Sequence, residues 1–151
     1  MDNSIEEKKL EDCAVCACFN LRKAARVITQ LYDRRLAPSG IRSTQFSIMA
    51  VLAVHSPETL TRVAETLAMD RTTLTRNMRP MEKQGYLKVN RGQDQRTKRL
   101  TLTKKGRKAF AKTFPRWECI QKQVIKKYGL QKFNSFIKDL REISTLFIDK
   151  Q

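Results

Sequence analysis

The sequence predicts a mainly α fold interrupted once by a two-stranded hairpin, and three observations carry that expectation. Apolar residues recur at three- and four-residue steps through most of the 151 residues, the period of helices with one buried face. The stretch 86–102 breaks that period: Leu87, Val89, Leu100 and Leu102 alternate with polar neighbours on either side of Gly92 and Asp94, as two strands and a turn would. The remaining breaks fall at Pro38-Ser39-Gly40, Ser56-Pro57, Gly85 and Gly129, residue types that end helices through ring sterics or a left-handed backbone.

Taken in order, residues 6–37 form a first helix marked by Phe19, Ala25, Ile28, Leu31, Tyr32 and Leu36. Ser43 reads as the N-cap of a second, which runs through Phe46, Ile48, Met49, Val51 and Leu52 to about His55 and is apolar on most sides, hence buried. Thr61 to Ala68 makes a short third helix. Asp70 caps a fourth from Arg71 to Gln84, with Leu74, Met78 and Met81 as its inner stripe, Gly85 just past its end, and a bend expected at Pro80. Strands follow at Tyr86–Arg91 and Lys98–Leu102. Thr103 caps a long helix marked by Phe110, Phe114, Trp117, Ile120 and Val124, and a last helix carries Phe133, Phe136, Ile137, Leu140, Ile143 and Phe147. The stripes at the two chain ends exceed what a small core can cover, which predicts a second copy of the chain as their partner.

Charge narrows the function class. The chain carries 31 Lys and Arg against 15 Asp and Glu, a net charge of +16, so its natural partners are polyanions. No apolar run approaches the roughly 18 residues that span a bilayer, and the charged N-terminus lacks the apolar core of an export signal, so no membrane partner and a cytoplasmic address are expected. Four cysteines, three of them crowded at Cys13, Cys16 and Cys18, do not make a secreted disulfide framework. No phosphate-binding loop, metalloprotease pair or nucleophile elbow is present, and neither an enzyme activity, a metal nor a cofactor is expected.

Val63, Ala64, Leu67, Met69 and Leu74 are spaced as the interior of a helix-turn-helix, with small Ala64 where the two helices cross. That interior fixes the outward face of the fourth helix. Thr72, Thr73 and Arg76 are placed to reach base edges, and Thr75 and Arg79 to reach flanking phosphates. An arginine pairs bidentately with guanine O6 and N7, and threonine methyls contact thymine methyls. The hairpin adds Lys88, Arg91, Arg96, Lys98 and Arg99, with Asp94 positioned to orient an arginine. Residues 56–106 hold twelve Lys and Arg against five Asp and Glu. Helix, tight turn, polar helix and basic hairpin together describe a winged helix-turn-helix over 43–106, flanked by dimerisation helices at 6–37 and 107–149 in a single domain of 1–151, with double-stranded DNA as partner. The plainer readings are a solvated basic face, or a protein that binds nucleic acid by charge alone without sequence preference.

The segment Asp94-x-Arg96-x-x-x-Leu100-x-Leu102-Thr103-x-x-Gly106 resembles the wing signature of the MarR family of bacterial regulators, and the likeness extends from the first helix to the last. The resemblance implies a homodimeric repressor on a pseudo-palindromic operator, with Arg96 in a minor groove, the helix at Arg71 to Gln84 in the major groove, and a cavity for a small aromatic effector. Tyr32, His55 and Trp117 are the polar-tipped candidates for that cavity. Ala68 departs from the family's usual Gly before the turn, a mild change unless the backbone there needs a positive φ.

The cysteines leave alternatives open. They read as small apolar core residues, or as redox thiols, or, for Cys13 and Cys16 one turn apart, as part of a metal site that no His or acid cluster completes. Cys18-Phe19 and Tyr32 resemble the pattern of the family's organic-peroxide-sensing (OhrR) group, which implies a peroxide sensor at Cys18, with Arg22 favouring its thiolate and Cys119 as a partner for the oxidised sulfur. Ser43 stands where that group has a second Tyr.

Overall fold

A single 3-10 turn at Cys13–Val15 leads into helix α1, Ala17–Leu36; of the first helix expected over 6–37, residues 6–12 lie outside the described residues and the α-helix runs from Ala17. The structure is a computed structural model that describes residues 13–92 and 97–147; Asp94 and Arg96 lie outside the described residues. A second 3-10 turn, Ala37–Ser39, closes on Gly40 at φ 67°, and α2, Ser43–His55, follows. The cap of α2 is Arg42 rather than Ser43: the Arg42 N–H donates to Gln45 Oε1 at 3.0 Å. Ser43 is instead the first helical residue, and its N–H and hydroxyl both donate to Asp33 Oδ1, at 2.7 and 2.6 Å. One carboxylate on α1 therefore satisfies the start of α2, with its negative charge at the favourable end of the helix.

The buried face of α2, with Phe46, Ile48, Met49 and Leu52, receives the helix-turn-helix. That unit is α3, Leu60–Thr66, and α4, Arg71–Lys83. Val63 and Ala64 from α3 and Leu74, Met78 and Met81 from α4 are all buried, as their spacing predicted. Thr59 caps α3 by accepting from the Arg62 N–H at 3.1 Å, and α4 runs through Pro80 without interruption.

Both helices end in the same motif. In α4 the Tyr86 N–H bonds the Met81 carbonyl and the Gly85 N–H that of Glu82, both at 2.9 Å, around Gly85 at φ 72°. In α3 the Met69 N–H bonds the Ala64 carbonyl at 2.9 Å and the Ala68 N–H that of Glu65 at 3.0 Å, around Ala68 at φ 49°. These are Schellman ends, and both need a left-handed residue. Ala68 thus sits where a Cβ is strained, and the substitution that looked mild in sequence is not.

The sheet has three strands, not two. Strands β2, Leu87–Arg91, and β3, Lys98–Leu102, form the expected hairpin, and a two-residue strand β1, Glu58–Thr59, adds to the far edge of β3, giving the antiparallel order β1-β3-β2. Leu87 pairs with Leu102 and Val89 with Leu100, so the inner faces of the two strands meet over the core. Helix α5, Lys104–Tyr128, starts directly after β3, and Gly129 at φ 90° separates it from α6, Leu130–Leu146. Among the described residues no helix is long and apolar enough to cross a membrane.

The chain divides into two compact units, Met1–Thr113 and Phe114–Gln151. The first holds the winged helix, with Phe46 stacked on Phe110 at 5.0 Å between ring centroids. The second holds the rest of α5 with α6, where Phe114 meets Trp117 at 5.3 Å and Tyr128 meets Phe136 at 5.8 Å.

Thr103 closes the first unit. Its hydroxyl donates toward the carbonyls of Gly85, at 2.6 Å, and Tyr86, at 3.1 Å, and accepts the Gly106 N–H at 2.9 Å, which makes it the N-cap of α5. A Cβ on Gly106 would overlap the Tyr86 carbonyl oxygen and lie 2.8 Å from Leu102 Cδ1.

Two tests follow from these backbone sites. Ala68→Gly should raise stability by about 0.5–1 kcal/mol in urea unfolding: relief of roughly 1–2 kcal/mol of left-handed strain, less roughly 0.4–1 kcal/mol for the freer unfolded chain. Gly106→Ala should lose about 1–3 kcal/mol or more, because the obstacle is backbone and cannot rotate away. An unchanged midpoint for either variant contradicts the turn geometry.

The cap of α4 makes a third test. Asp70 accepts from the Thr73 N–H at 2.8 Å and the Thr73 hydroxyl at 2.5 Å, and these bonds, the hydroxyl first, hold its carboxyl below the ordinary carboxylate range. A folded pKa below the unfolded one adds stability above the unfolded pKa, and that stability is lost as pH falls through the folded pKa. Comparing thermal midpoints from pH 6 down to pH 2, Asp70→Asn should show a shallower acid loss than the parent. Equal slopes would mean that the cap carries no charge.

Candidate nucleic-acid interface

The outward side of α4 is set by its buried stripe. With Leu74, Met78 and Met81 inward, the helical period leaves two neighbouring columns toward solvent and wing: Thr72 and Arg76, then Arg71, Thr75 and Arg79. Thr72, Arg71, Arg76 and Arg79 are exposed, and among the described residues no carboxylate pairs with the three arginines. Thr72 and Arg76 are thus both open to solvent on the outward side of α4.

Thr73 is not open in this way. It is half-buried, its hydroxyl donates to Asp70 and its carbonyl accepts from Asn77 Nδ2 at 2.9 Å, so it works as part of the helix cap rather than as a base reader. The Thr75 hydroxyl donates back to the Arg71 carbonyl at 2.7 Å, which keeps its methyl rather than its O–H proton for any outside contact. Capping and back-bonding compete for short hydroxyl side chains on helices, and here they win at both positions.

The hairpin sorts its cations by strand parity. Arg91 and Lys98 lie directly opposite each other on the face that continues Leu87, Val89, Leu100 and Leu102, while Arg99 lies on the opposite face, beside Asn90 and Thr59. Lys98 thus turns toward α4. Between them runs a groove of about 420 Å³ lined by Arg71, Thr72, Thr75, Arg76, Arg79 and Lys98, with Leu60 as its apolar member. Four of these seven residues are cations and none is an acid. An adjoining hollow of about 300 Å³ shares Leu60, Thr75, Arg79 and Lys98 with it and adds Met78, Val89 and one acid, Glu82. Arg71 was not foreseen as part of this surface; its place one and two i, i+4 steps before Thr75 and Arg79 is the signal that would have found it.

The remaining candidates are scattered. Cys16, Cys18 and Cys119 are exposed free thiols, so the reading as core residues of the protomer is corrected for all three. Cys18 and Tyr32 are fourteen residues apart on one continuous helix, about 21 Å along its axis. They cannot meet within one chain. Tyr32 is half-buried, which pushes its phenol above the ordinary range, whereas His55 is exposed at the last residue of α2. Trp117 belongs to the second unit, against Phe114.

Comparison with known proteins agrees with this geometry. The winged helix DNA-binding domain family matches residues 44–124, the span from α2 through most of α5. An organic hydroperoxide resistance transcriptional regulator of Bacillus subtilis is 31% identical over 107 residues, 70% of this chain and 71% of the relative. The matched stretches span 66% to 71% of two curated relatives' own length. Among solved structures, the M. tuberculosis transcriptional regulator MosR in complex with DNA superposes with a TM-score of 0.80 at 39% identity, covering 87% of this chain and 95% of that one. CouR from Rhodococcus jostii RHA1, bound to p-coumaroyl-CoA, shares the fold at a TM-score of 0.76 and 16% identity over 91% of this chain and 96% of that one. With a recognition helix, a basic wing and relatives of this kind, the chain belongs to the MarR family of winged helix-turn-helix transcriptional regulators.

Proposed function

We propose that the protein is a homodimeric repressor that reads a pseudo-palindromic operator and is released from it by a small aromatic effector. The acid-free basic groove beside the outward column Thr72–Arg76 carries the DNA reading. The dimer reading is supported by large apolar side chains left in water on helices from both ends of the chain: Phe19, Val27 and Ile28 on α1, and Leu130, Phe136, Ile143 and Leu146 on α6. Patches of this kind on a small protein mark association surfaces. Two copies would place two α4 helices in successive major grooves, about 34–36 Å between half-site centres. The effector reading draws on CouR, a distant neighbour of the same fold that was captured with an aromatic thioester.

Sedimentation at micromolar concentration should give twice 17.6 kDa. Footprinting on a duplex selected from a random pool should show two protected half-sites, and a uniform footprint on every sequence would favour binding by charge alone. Arg76→Ala should relax preference at one position per half-site, at a cost of about 1–3 kcal/mol. A monodisperse monomer, or an Arg76→Ala variant with unchanged preference, defeats the corresponding part of the proposal.

A second reading rests on Cys18, exposed one helical turn from Arg22, and on the hydroperoxide-resistance relative. In it the Cys18 thiolate takes one oxygen of an organic hydroperoxide and becomes a sulfenic acid, while the peroxide leaves as its alcohol. Condensation with a Cys119 thiol of the partner would then form a disulfide and release water. Because Tyr32 lies about 21 Å along the same helix, a Tyr32 that supports Cys18 must come from the other protomer. Organic peroxide should release the parent protein from its operator and leave Cys18→Ser bound; equal behaviour of the two proteins removes the redox reading.

A further inference from the structure

Helix α5 opens against the rule that α2 and α4 follow. Asp33 satisfies the start of α2 and Asp70 that of α4, each setting a carboxylate at the positive end of a helix dipole. The start of α5 is capped by the neutral Thr103 hydroxyl, no acid lies in its first turn, and Lys104, Lys105, Arg107 and Lys108 crowd there instead. Over Lys104–Tyr128 the helix carries nine Lys and Arg against one acid, Glu118. Two of the early cations have partners inside the fold. Lys105 Nζ lies over the Tyr86 ring, 5.7 Å from its centroid, and Arg107 Nη1 donates to the Ala53 carbonyl at 3.5 Å. Lys104, Lys108 and Lys112 stand at i, i+4 and i+8, an exposed column about 12 Å long. Among the described residues none of these three makes an ion pair. Like charges at that spacing destabilise a helix, and so do cations at its start.

The column is a surface apart from the one that faces the operator. Helix α5 begins where β3 ends, at the junction with Tyr86. Lys98 and Arg91 lie toward the other end of the hairpin, about 13 Å along β3 from Leu102. Arg76 lies about 12 Å along α4 from Gln84. None of the large exposed apolar side chains falls between residues 104 and 113. Protein interfaces centre on such side chains, and helices that lie on membranes press them into lipid. A bare row of lysines suits neither. A linear polyanion needs only the row, and lysine, a point charge on a flexible stem, takes phosphates without reading bases.

From these observations we infer that Lys104, Lys108 and Lys112 form a second DNA-binding surface. It takes the phosphate backbone of a duplex segment other than the one on α4, and it does so without sequence preference. One molecule then holds two segments at once, and DNA flanking an operator, tethered by the first contact, is at high local concentration for the second. The inference goes beyond the operator reading, because it assigns a surface which that reading does not use.

The test uses the full-length protein on an immobilised duplex selected from a random pool and washed free of unbound protein. A labelled duplex of scrambled sequence is then offered. The parent should capture it, and capture should fall roughly 40-fold between 50 and 200 mM salt, as three phosphate contacts require. Lys104→Gln, Lys108→Gln and Lys112→Gln combined should abolish capture and leave affinity for the selected duplex unchanged, whereas Arg at all three positions should keep capture. The Gln variant should also melt no lower than the parent at low salt. A parent that captures no second duplex overturns the proposal, as does a Gln variant that captures as well as the parent or melts below it. Lysine-dependent capture of polyglutamate or of anionic vesicles in place of the duplex also overturns it, since the column would then serve an acidic protein or a membrane. A parent that selects no duplex overturns the operator reading instead. The column is then judged by direct binding of the scrambled duplex, where the Gln variant should lower the salt slope by about three and an unchanged slope overturns the proposal.

Discussion

The arrangement of recognition helix, wing and exit helix depends on one close approach, that of Gly106 to the Tyr86 carbonyl. Tyr86 is the residue at which α4 has ended and β2 is about to begin. Its carbonyl accepts the Thr103 N–H at 3.0 Å, and the Thr103 hydroxyl reaches both it and the Gly85 carbonyl while receiving the Gly106 N–H. The end of the recognition helix, the root of the wing and the first turn of α5 are thereby tied at one point. No side chain fits at Gly106, so nothing can wedge the three elements apart. The angle between α4 and the hairpin, and with it the width of the groove they enclose, is a property of this junction more than of the groove's own residues.

The two turns that flank α4 show how that geometry is held from the other side. Asp70 fixes where the helix begins, and the Schellman end around Gly85 fixes where it stops. The same end is built at α3 with Ala68 in the left-handed position, at a cost that glycine would avoid. The turn between α3 and α4 is therefore the strained member of an otherwise relaxed core in which Leu74, Met81 and Val63 are fully buried. The strain is local: the α4 cap and stripe do not depend on Ala68 being an alanine.

Much of this was legible in the sequence because periodicity and capping act locally. The buried stripes of α2 and α4, the Asp70 and Thr103 caps and the parity of the hairpin all follow from spacing alone. What was not legible has physical causes that can be named. Strand β1 is two residues long and has no period to read; it exists because β3 offers an unpaired edge to Glu58 and Thr59. The cap of α2 falls on Arg42 because Ser43 is claimed by Asp33, a partner ten residues away that no local rule sees. Thr73 looked like a base reader by its outward position, but its hydroxyl had a nearer acceptor in Asp70. The cysteines looked like core by their size, yet Cys16, Cys18 and Cys119 are exposed, because size and polarity alone do not say which face of a helix a residue takes.

Charge and fold are in tension at the groove. Arg91 faces Lys98 across the hairpin, three arginines line one side of the groove, and among the described residues the one carboxylate close by, Glu82 in the adjoining hollow, makes no ion pair with them. Each such like-charge pair costs roughly 0.2–1 kcal/mol in the free protein, in a fold whose total stability is only about 5–15 kcal/mol. A chain selected for stability alone would place acids among these cations, as it does on α3 with Arg62 and Glu65 at 3.8 Å and on α5 with Lys122 and Glu118 at 3.4 Å. A polyanion placed in the groove would relieve that repulsion, and the relief would add to the free energy of its binding.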